Sequence, residues 1–365
     1  MGKVAILTLM GRFNYGNRLQ NYASEYMFRT MGYEPVTLNS VRPPYQELAA
    51  KAIRRLKGWE TSKEAIQNPK YNAFRSFDEL MNIENVPLCS KSLVSEYDFF
   101  SVGSDQVWNL NLMSHRTRWF FLDFVPKEKR VALAPSIGLD HLTYAQAKRL
   151  AKGVNNFPLL SVREKRGAEL IKQCSGRAVE VICDPALAVP VSEWRKIKSN
   201  KLTPTTPYIF AYLLGDDNPE AHAALDYLTR ELNAPILSLT DRSASADLPA
   251  GPAEFLSLID GACHVVTDSF HASLFSAIFE TPLTILHRQG DAGTFSRLDN
   301  LATILHLDNK IFGTPGFDYS LSNDFSDTHS LIRKEADRFI RYLEACLAFY
   351  PDCENRQPYS SIASL

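Results

Sequence analysis

The chain has 365 residues, more than one ordinary hydrophobic core accommodates, so two domains are expected. Apolar residues make up 45% of it and charged residues 22%, the balance of a soluble globular protein, and the net charge of −1 gives no indication of a nucleic-acid partner. The 6 cysteines contain no C-x-x-C pair, which argues against a disulfide framework or a metal site and favours a reducing, cytoplasmic compartment.

The chain begins with a predicted strand, helix and strand. The apolar run at residues 4–9 has the length of a buried strand, and it lacks the length and the cleavage site of a signal peptide. Apolar side chains then recur at helical spacing from Leu19 to Met27, and Gly32 is a suitable C-terminal cap before a strand at residues 34–38. This order predicts a βαβ unit.

Strand-length apolar runs alternate with helical patterns along most of the remaining chain. In the first half the further predicted strands are residues 97–102, 131–135, 159–162 and 179–183. In the second half they are residues 208–214, 235–239, 264–267 and 283–286, with helices at residues 220–232, 253–260 and 272–279. This alternation predicts an α/β fold with two parallel, Rossmann-like domains that face each other across a cleft.

Polar breaks in this alternation suggest the domain bounds. A first domain spans residues 1–190, with an insertion near residues 41–70 that is partly helical at residues 45–56, and a second domain spans residues 191–330. A C-terminal helix and tail at residues 331–365 are expected to return to the first domain. Because ligands of open α/β sheets bind outside the carboxyl ends of the strands, the polar residues after each strand are the candidates for a site.

The loop between the first strand and the first helix is the first such candidate. Gly11 and Gly16 have the spacing of a phosphate-binding loop, and a helix N-terminus attracts anions. However, Asn17 and Arg18 replace the Lys-Ser/Thr pair of nucleotide triphosphatases, which argues against that class. A tight turn with an asparagine cap is an equally good interpretation of the loop.

Two further segments follow predicted strands of the first half. Residues 101–109 combine five hydrogen-bonding side chains with Trp108, a composition suited to a sugar, although a polar turn beside a core tryptophan is the alternative. Arg163 directly follows the strand at residues 159–162, where a guanidinium is placed to bind a carboxylate or phosphate with two hydrogen bonds. For Arg163 the alternative is a surface ion pair.

The sharpest candidate is His271, in the turn after the strand at residues 264–267. At a helix N-terminus the dipole favours a neutral imidazole that can exchange protons near neutral pH. Asp268 or Ser269 can cap that helix, and a histidine that only joins the cap is the structural alternative. Arg288 and Arg297 follow later and either add positive charge to the same cleft or lie on the surface.

A basic stretch lies in the predicted insertion and consists of Lys51, Arg54, Arg55 and Lys57. Such a stretch can lie on an anionic membrane surface, although a solvated helix face is the favoured interpretation.

Five segments, in this order, resemble the polysaccharide pyruvyl transferase family. They are NYGNRLQNYA (residues 14–23), GSDQVWN (103–109), SVRE (161–164), TDSFH (267–271) and SR (296–297). The resemblance implies a two-domain, GT-B-like fold and a transferase that uses phosphoenolpyruvate as donor. Its product would be a cyclic ketal of pyruvate on two hydroxyls of one sugar, commonly the 4- and 6-positions, in bacterial capsular, exopolysaccharide or cell-wall glycan biosynthesis.

Carried over by position, the resemblance implies that His271 is the catalytic histidine and that Arg163 and Arg297 bind the donor. Arg288 and Ser269 are further donor-side candidates. Acceptor contacts are expected from Asn14, Tyr15, Asn17, Ser104, Asp105, Trp108 and Asn109. The chain departs from the family at Ser269, where some members have a basic residue, and this leaves open which arginine holds the donor. It also has Ala272 where many members have glycine.

The expected partners are therefore phosphoenolpyruvate and a saccharide, without a cofactor, a metal or nucleic acid. A polyprenyl-linked acceptor would give the basic stretch a role at the inner face of the cell membrane. Two alternatives stay open: a nucleotide-sugar glycosyltransferase on the same frame, and a carbohydrate-binding protein without catalysis. The sequence does not indicate an oligomeric state.

Overall fold

The structure, a computed structural model, describes residues 1–41, 68–113, 116–215, 218–239, 248–288, 295–318 and 324–348. Its strands in the first half are β1 (Gly2–Leu7), β2 (Tyr33–Val41), β3 (Ile83–Pro87), β4 (Phe99–Val102), β5 (Arg130–Ala132), β6 (Ser161–Val162) and β7 (Glu180–Val181). Those in the second half are β8 (Ile209–Tyr212), β9 (Ile236–Leu239), β10 (His264–Thr267) and β11 (Leu283–Ile285).

Helices connect these strands. Those of the first half are α1 (Tyr15–Thr30), α2 (Pro69–Asp78), α3 (Thr117–Phe120), α4 (Tyr144–Val154) and α5 (Lys165–Ser175). Those of the second half are α6 (Val191–Ile197), α7 (Pro219–Leu232), α8 (Pro252–Asp260), α9 (Phe270–Phe279), α10 (Phe295–Ile304) and α11 (Thr328–Leu347). The predicted insertion helix at residues 45–56 and the basic stretch at residues 51–57 lie outside the described residues.

The strands form two larger parallel sheets and one small one. The first sheet has the order β3-β2-β1-β4-β5, the second has the order β11-β10-β8-β9, and β6 pairs with β7. The α/β fold class with two Rossmann-like sheets is therefore confirmed. The sequence did not predict β3, which is an edge strand. Its Glu84 and Asn85 side chains are exposed and it ends in a proline, so it lacks the continuous apolar run of a buried strand.

Each large sheet has a point at which the strand order reverses. In the first sheet the chain builds outward from β1 through β2 and then crosses to β4 on the other side. In the second it builds from β8 to β9 and then crosses to β10. Open α/β sheets bind ligands at the carboxyl ends of the strands that flank such a point. The loops after β1, β4, β8 and β10 are therefore the ones that position a site.

The two halves share one hydrophobic core. The ring of Tyr15, at the start of α1, stacks on Phe255 of α8 with a centroid distance of 4.7 Å. Trp194 of α6 contacts Tyr22 of α1 at 5.6 Å and Phe275 of α9 at 4.9 Å. Helix α11 lies against the first half, where the Tyr342 hydroxyl donates to the carbonyl of Ala132 at 2.9 Å. These contacts fix the loops of the two sheets relative to each other.

Candidate active site

Two helices begin side by side between the sheets. Asn14 caps α1 by accepting a hydrogen bond from the backbone N–H of Asn17 at 2.9 Å, and Ser269 caps α9. The start of α1 is so close to the His271 ring that a Cβ on Gly16 would lie 2.1 Å from His271 Nδ1. The absent side chain at Gly16 therefore lets the imidazole lie against α1, where two helix N-termini converge and favour anionic groups.

The other side of the imidazole faces a buried carboxylate. His271 is 8% exposed, and its Nε2 lies 3.7 Å from Oδ2 of Asp184 without a hydrogen-bond partner. Asp184 follows β7 and is held by Ser104 Oγ at 3.0 Å and by Arg163 Nη1 at 2.6 Å. Burial alone would raise the pKa of Asp184, but the nearby His271 and Arg163 lower it well below its usual range. The carboxylate is therefore ionised.

Arg163 joins this carboxylate to a second one. Its Nη2 lies 3.3 Å from Oδ1 of Asp105, and its Cζ lies 4.3 Å from the ring centroid of Phe270. The side chain is buried, and its Nε has no partner. Burial lowers the pKa of Arg163, but Asp105 and Asp184 raise it above its ordinary value. The surface ion pair considered for Arg163 is therefore wrong, and two of its nitrogens already bind carboxylates.

Asp105 lies at the turn after β4 and adopts the left-handed backbone region, with φ of 65°. Its Oδ2 accepts a hydrogen bond from the side chain of Asn17, and its Oδ1 accepts one from the N–H of Gln106 at 2.8 Å. Burial alone would raise its pKa, but Arg163, His271 and Arg297 lower it. Asp105 thus ties the start of α1 to the strand-end arginine.

Arg297 of α10 adds a second guanidinium. The side-chain amide of Gln106 lies 3.1 Å from its Nη1 and 3.3 Å from its Nη2, and accepts both hydrogen bonds when its carbonyl oxygen faces the guanidinium. Nε of Arg297 is buried without a partner. Burial, together with the charge of Arg163, lowers the pKa of Arg297 to about 10. The predicted donor arginines Arg163 and Arg297 are therefore brought together, and of the two it is Arg163 that binds two aspartates.

The remaining donor-side candidates lie on the second sheet. Arg288, just after β11, reaches Asp268 with Nε at 3.3 Å from Oδ2. Asp268 also accepts hydrogen bonds from the backbone N–H groups of Leu214 and Gly215, which follow β8. Ser269 is buried and serves as the cap of α9, with its N–H donating to Thr267 Oγ1 at 3.0 Å. Arg288 and Ser269 therefore support the loops around His271.

Several predicted acceptor contacts need correction, because the residues are core residues. Trp108 has 0% exposure, its indole N–H donates to the carbonyl of Phe120 at 2.9 Å, and its ring stacks on Phe121. Tyr15 has 0% exposure and donates its hydroxyl to the carbonyl of Ala250. An aromatic ring enclosed by protein has no face for a sugar, so the core-tryptophan alternative was the right interpretation for Trp108.

Three polar candidates act within the protein as well. Ser104 is fully buried and donates to Asp184, and Asn109 accepts from the backbone N–H groups of Asn111 and Leu112. Asn17 is also buried, and its Oδ1 accepts from the N–H of Gly11 at 3.0 Å. The half-exposed Asn14 remains the acceptor candidate of this loop with the most accessible side chain.

The sequence analysis missed Asp184, Gln20 and Gln106 as members of the site. Asp184 directly follows the predicted strand at residues 179–183, so the strand-end rule applies to it as it does to Arg163. Gln20, one turn into α1, donates to Thr8 Oγ1 at 2.7 Å and accepts from the N–H of Ser104 at 3.0 Å. A glutamine inside a helix gives no sequence signal that its partners come from two strand ends.

Within the described ranges, no group of three or more His, Cys, Asp or Glu side chains is arranged to hold a metal ion. No helix in the same part of the chain is both long and apolar enough to cross a membrane.

Comparison with known proteins identifies one family. The family described as "Polysaccharide pyruvyl transferase" matches residues 14–287. No curated protein sequence matches the chain.

Solved structures resemble the chain only distantly. They include HepE of Anabaena with UDP (12% identity, 96% of each chain, TM-score 0.41) and an alpha-glucosyltransferase with UDP (11%, 96% of each chain, 0.43). Another is UDP-N-acetylglucosamine 2-epimerase of Rickettsia bellii (12%, 96% of this chain and 100% of that one, 0.43). Scores this low add nothing to the fold already read from the two sheets.

Proposed function

The chain belongs to the polysaccharide pyruvyl transferase family, and on that basis we propose that it moves pyruvate from phosphoenolpyruvate to two hydroxyls of one sugar as a cyclic ketal, with release of phosphate. The observation that carries the proposal is the position of His271 at two helix N-termini and 3.7 Å from an ionised carboxylate, in a cluster where His271, Arg163 and Arg297 all lower the pKa of Asp105. A proton donor next to fixed positive charge is what a reaction of an anionic enol phosphate needs.

Phosphoenolpyruvate carries a phosphate and a carboxylate, and the proposed donor site offers three kinds of anion partner. These are the guanidinium of Arg297, the positive end of the α9 dipole and the positive end of the α1 dipole. Because Arg163 binds both Asp105 and Asp184, we propose a positioning role for it, and its Nε is the guanidinium nitrogen that has no partner.

In the proposed reaction, His271 delivers a proton to the methylene carbon of the donor, which makes the central carbon electrophilic. A sugar hydroxyl attacks that carbon and loses its proton, and the phosphate then leaves with the electrons of its C–O bond. The second hydroxyl closes the ring and releases the last proton. The sum is one phosphoenolpyruvate and one diol converted to one ketal and one phosphate, so no oxidant, metal or cofactor enters the balance.

The acceptor and its setting are also proposals. Asn14, together with the turn at Asp105, is the pair of groups we propose for orienting the hydroxyls, and the 4- and 6-positions are the expected ones. Because the donor is an intermediate of cytoplasmic metabolism, we propose a cytoplasmic location and a glycan precursor of capsule, exopolysaccharide or cell wall as acceptor.

The test is phosphate release from phosphoenolpyruvate with a panel of galactose-, glucosamine- and mannosamine-terminated acceptors, free and polyprenyl-linked. Release that depends on one acceptor and disappears in His271→Gln is the expected result. UDP-sugars serve as competing donors in parallel reactions. Glycosyl transfer from a UDP-sugar, with no use of phosphoenolpyruvate, would replace the proposal by the glycosyltransferase alternative. Saccharide binding without turnover of either donor would favour a binding protein.

A further inference from the structure

We propose that Asp184 is a positioning residue that holds the His271 ring with Nε2 toward the protein interior, so that Nδ1 is the nitrogen that exchanges the proton. The destination of that proton rests on the proposed function. The orientation of the ring and its tautomer do not, because they are properties of the protein without substrate.

The contacts of the ring define its orientation. Nε2 is buried, lies 3.7 Å from Asp184 Oδ2 and has no other hydrogen-bond partner. Rotation of the imidazole by half a turn about its Cβ–Cγ bond would exchange Nε2 with Cε1 and direct a carbon atom at the carboxylate. A carboxylate gains nothing from a carbon neighbour and much from an N–H donor, so the observed orientation is the favourable one.

The carboxylate that faces the ring is held in place. Its Oδ2 accepts hydrogen bonds from Arg163 Nη1 and Ser104 Oγ, and its Oδ1 accepts one from the N–H of Ala186 at 3.1 Å. Asp184 is itself fully buried at its side chain. It therefore cannot follow the ring outward, and a distance of 3.7 Å closes to a hydrogen bond only by a small movement of His271.

The opposite edge of the ring, which carries Nδ1, lies against the first turn of α1. Nδ1, Cε1 and Cγ of His271 all lie within 2.6 Å of the position that a Cβ on Gly16 would occupy. The imidazole is thus confined between the first turn of α1 and Asp184. Because Nε2 is directed at Asp184, Nδ1, beside the positive end of the α1 dipole, is the nitrogen left for a substrate that carries negative charge.

The charged groups that face the ring come from three elements. Asp184 follows β7, Arg163 follows β6 and Asp105 follows β4. The carboxylate oxygens of Asp105 accept hydrogen bonds from Asn17, Arg163 and the N–H of Gln106. Among the described residues, Asp184 is the carboxylate within 4.0 Å of His271. It is therefore the group that sets the tautomer, as the buried aspartate does in hydrolase triads.

Nitrogen-15 NMR of the histidine side chains tests the tautomer in the full-length protein, without any substrate. At a pH of about 8, the signals of His271, assigned by their loss in His271→Gln, should show Nε2 protonated and Nδ1 unprotonated. Asp184→Asn should lose this preference. The matched control Asp105→Asn removes the other carboxylate of Arg163 and should retain it.

A wild-type spectrum with Nδ1 protonated overturns the proposal, even if Asp184→Asn fails to fold, because it needs no variant at this position. An unchanged tautomer in a folded Asp184→Asn protein overturns it as well. In kinetics, Asp184→Asn should lower kcat by roughly 10- to 10²-fold with a smaller change in the KM for phosphoenolpyruvate. If the protein has no phosphoenolpyruvate activity at all, the proposed function fails while the NMR result on Asp184 still stands.

Discussion

The first helix, α1, contributes to two buried polar regions, and they differ in whether their polar atoms have hydrogen-bond partners. In its middle, Glu25 is completely enclosed, but each of its oxygens has partners: Thr37 Oγ1 at 2.7 Å for one, and the N–H of Asn82 and the guanidinium of Arg29 for the other. At its start, Asn17 and Gly16 face a group of side chains that keep unpartnered buried atoms. These atoms include Nε of Arg163 and Arg297, Nε2 of His271 and Oε2 of Glu164.

Buried polar atoms without partners cost free energy, so a fold that keeps several of them in one cluster must gain something else there. The charges differ in the same way. Burial raises the pKa of Glu25 to about 7, whereas Asp105 and Asp184, equally buried, have lowered pKa values because cations surround them. Burial of a carboxylate thus identifies no site by itself. Burial beside a histidine and arginines that each keep an unpartnered Nε does identify one.

The largest effect is expected at His271. His271→Gln should lower kcat by roughly 10²- to 10⁴-fold, because the glutamine cannot transfer a proton, while the melting temperature changes little. The readout is phosphate release together with thermal unfolding. The matched control is His287→Gln, since His287 also pairs with a carboxylate, Asp299 at 3.0 Å, but lies half-buried outside the cluster. Equal losses in both variants would contradict the assignment.

The next effect concerns the surface against which the imidazole lies. Gly16→Ala places a methyl group 2.1 Å from Nδ1, so the ring must move and kcat should fall by roughly 10²-fold. Gly316→Ala is the control, because nothing lies within 4 Å of a Cβ at that position. Steady-state kinetics on both variants decide. Full activity of Gly16→Ala would mean that the ring position does not matter.

A smaller effect is expected for donor binding. Arg297→Lys keeps the charge but loses the planar pair of N–H donors, so the KM for phosphoenolpyruvate should rise by roughly 10-fold with a smaller change in kcat. Arg166→Lys alters a surface pair with Glu169 and should leave both constants unchanged. A wild-type KM in Arg297→Lys would remove Arg297 from the proposed donor site.

The last prediction concerns Glu25, whose buried oxygens all have partners, and its effect is on stability and not on activity. The pKa of Glu25 is raised from 4.5 to about 7 in the folded state, so between these pH values the folded protein binds more protons than the unfolded chain. This group therefore stabilises the fold below pH 4.5 relative to pH 7, and about 3 kcal/mol is lost as the pH rises through that window. Denaturant unfolding of wild type and Glu25→Gln at several pH values measures it. A parallel pH dependence in the two proteins would contradict the role of Glu25.

The sequence predicted the frame of the molecule well and the composition of the site less well. Buried parallel strands such as β1 and β10 are continuous apolar runs, so their ends, and with them Arg163 and His271, could be located from the pattern. Trp108 was predicted to contact a sugar because polar residues surround it in sequence, and Tyr15 was predicted to do so from the family resemblance. In space, both rings are fully buried in the hydrophobic core.

The partners of His271 lay beyond the reach of sequence pattern. Gly16, Asp184 and His271 are separated by more than eighty residues at each step, and only the docking of two sheets brings them together. Gly16 matters because the His271 ring occupies the space that a side chain at this position would fill. The local sequence around Gly16 does not indicate that a distant residue lies there. Asp184 matters because the guanidinium of Arg163 binds its carboxylate and offsets the cost of burying the charge.

The most direct test of pyruvyl transfer is carbon NMR of phosphoenolpyruvate labelled with ¹³C at the central carbon. The labelled donor is incubated with the acceptor panel and the wild-type protein. We predict that the signal of the enol carbon decays as the signal of a quaternary ketal carbon appears on the saccharide. Neither change should occur with His271→Gln. A labelled donor that stays intact while a UDP-sugar is consumed by the same protein would contradict it.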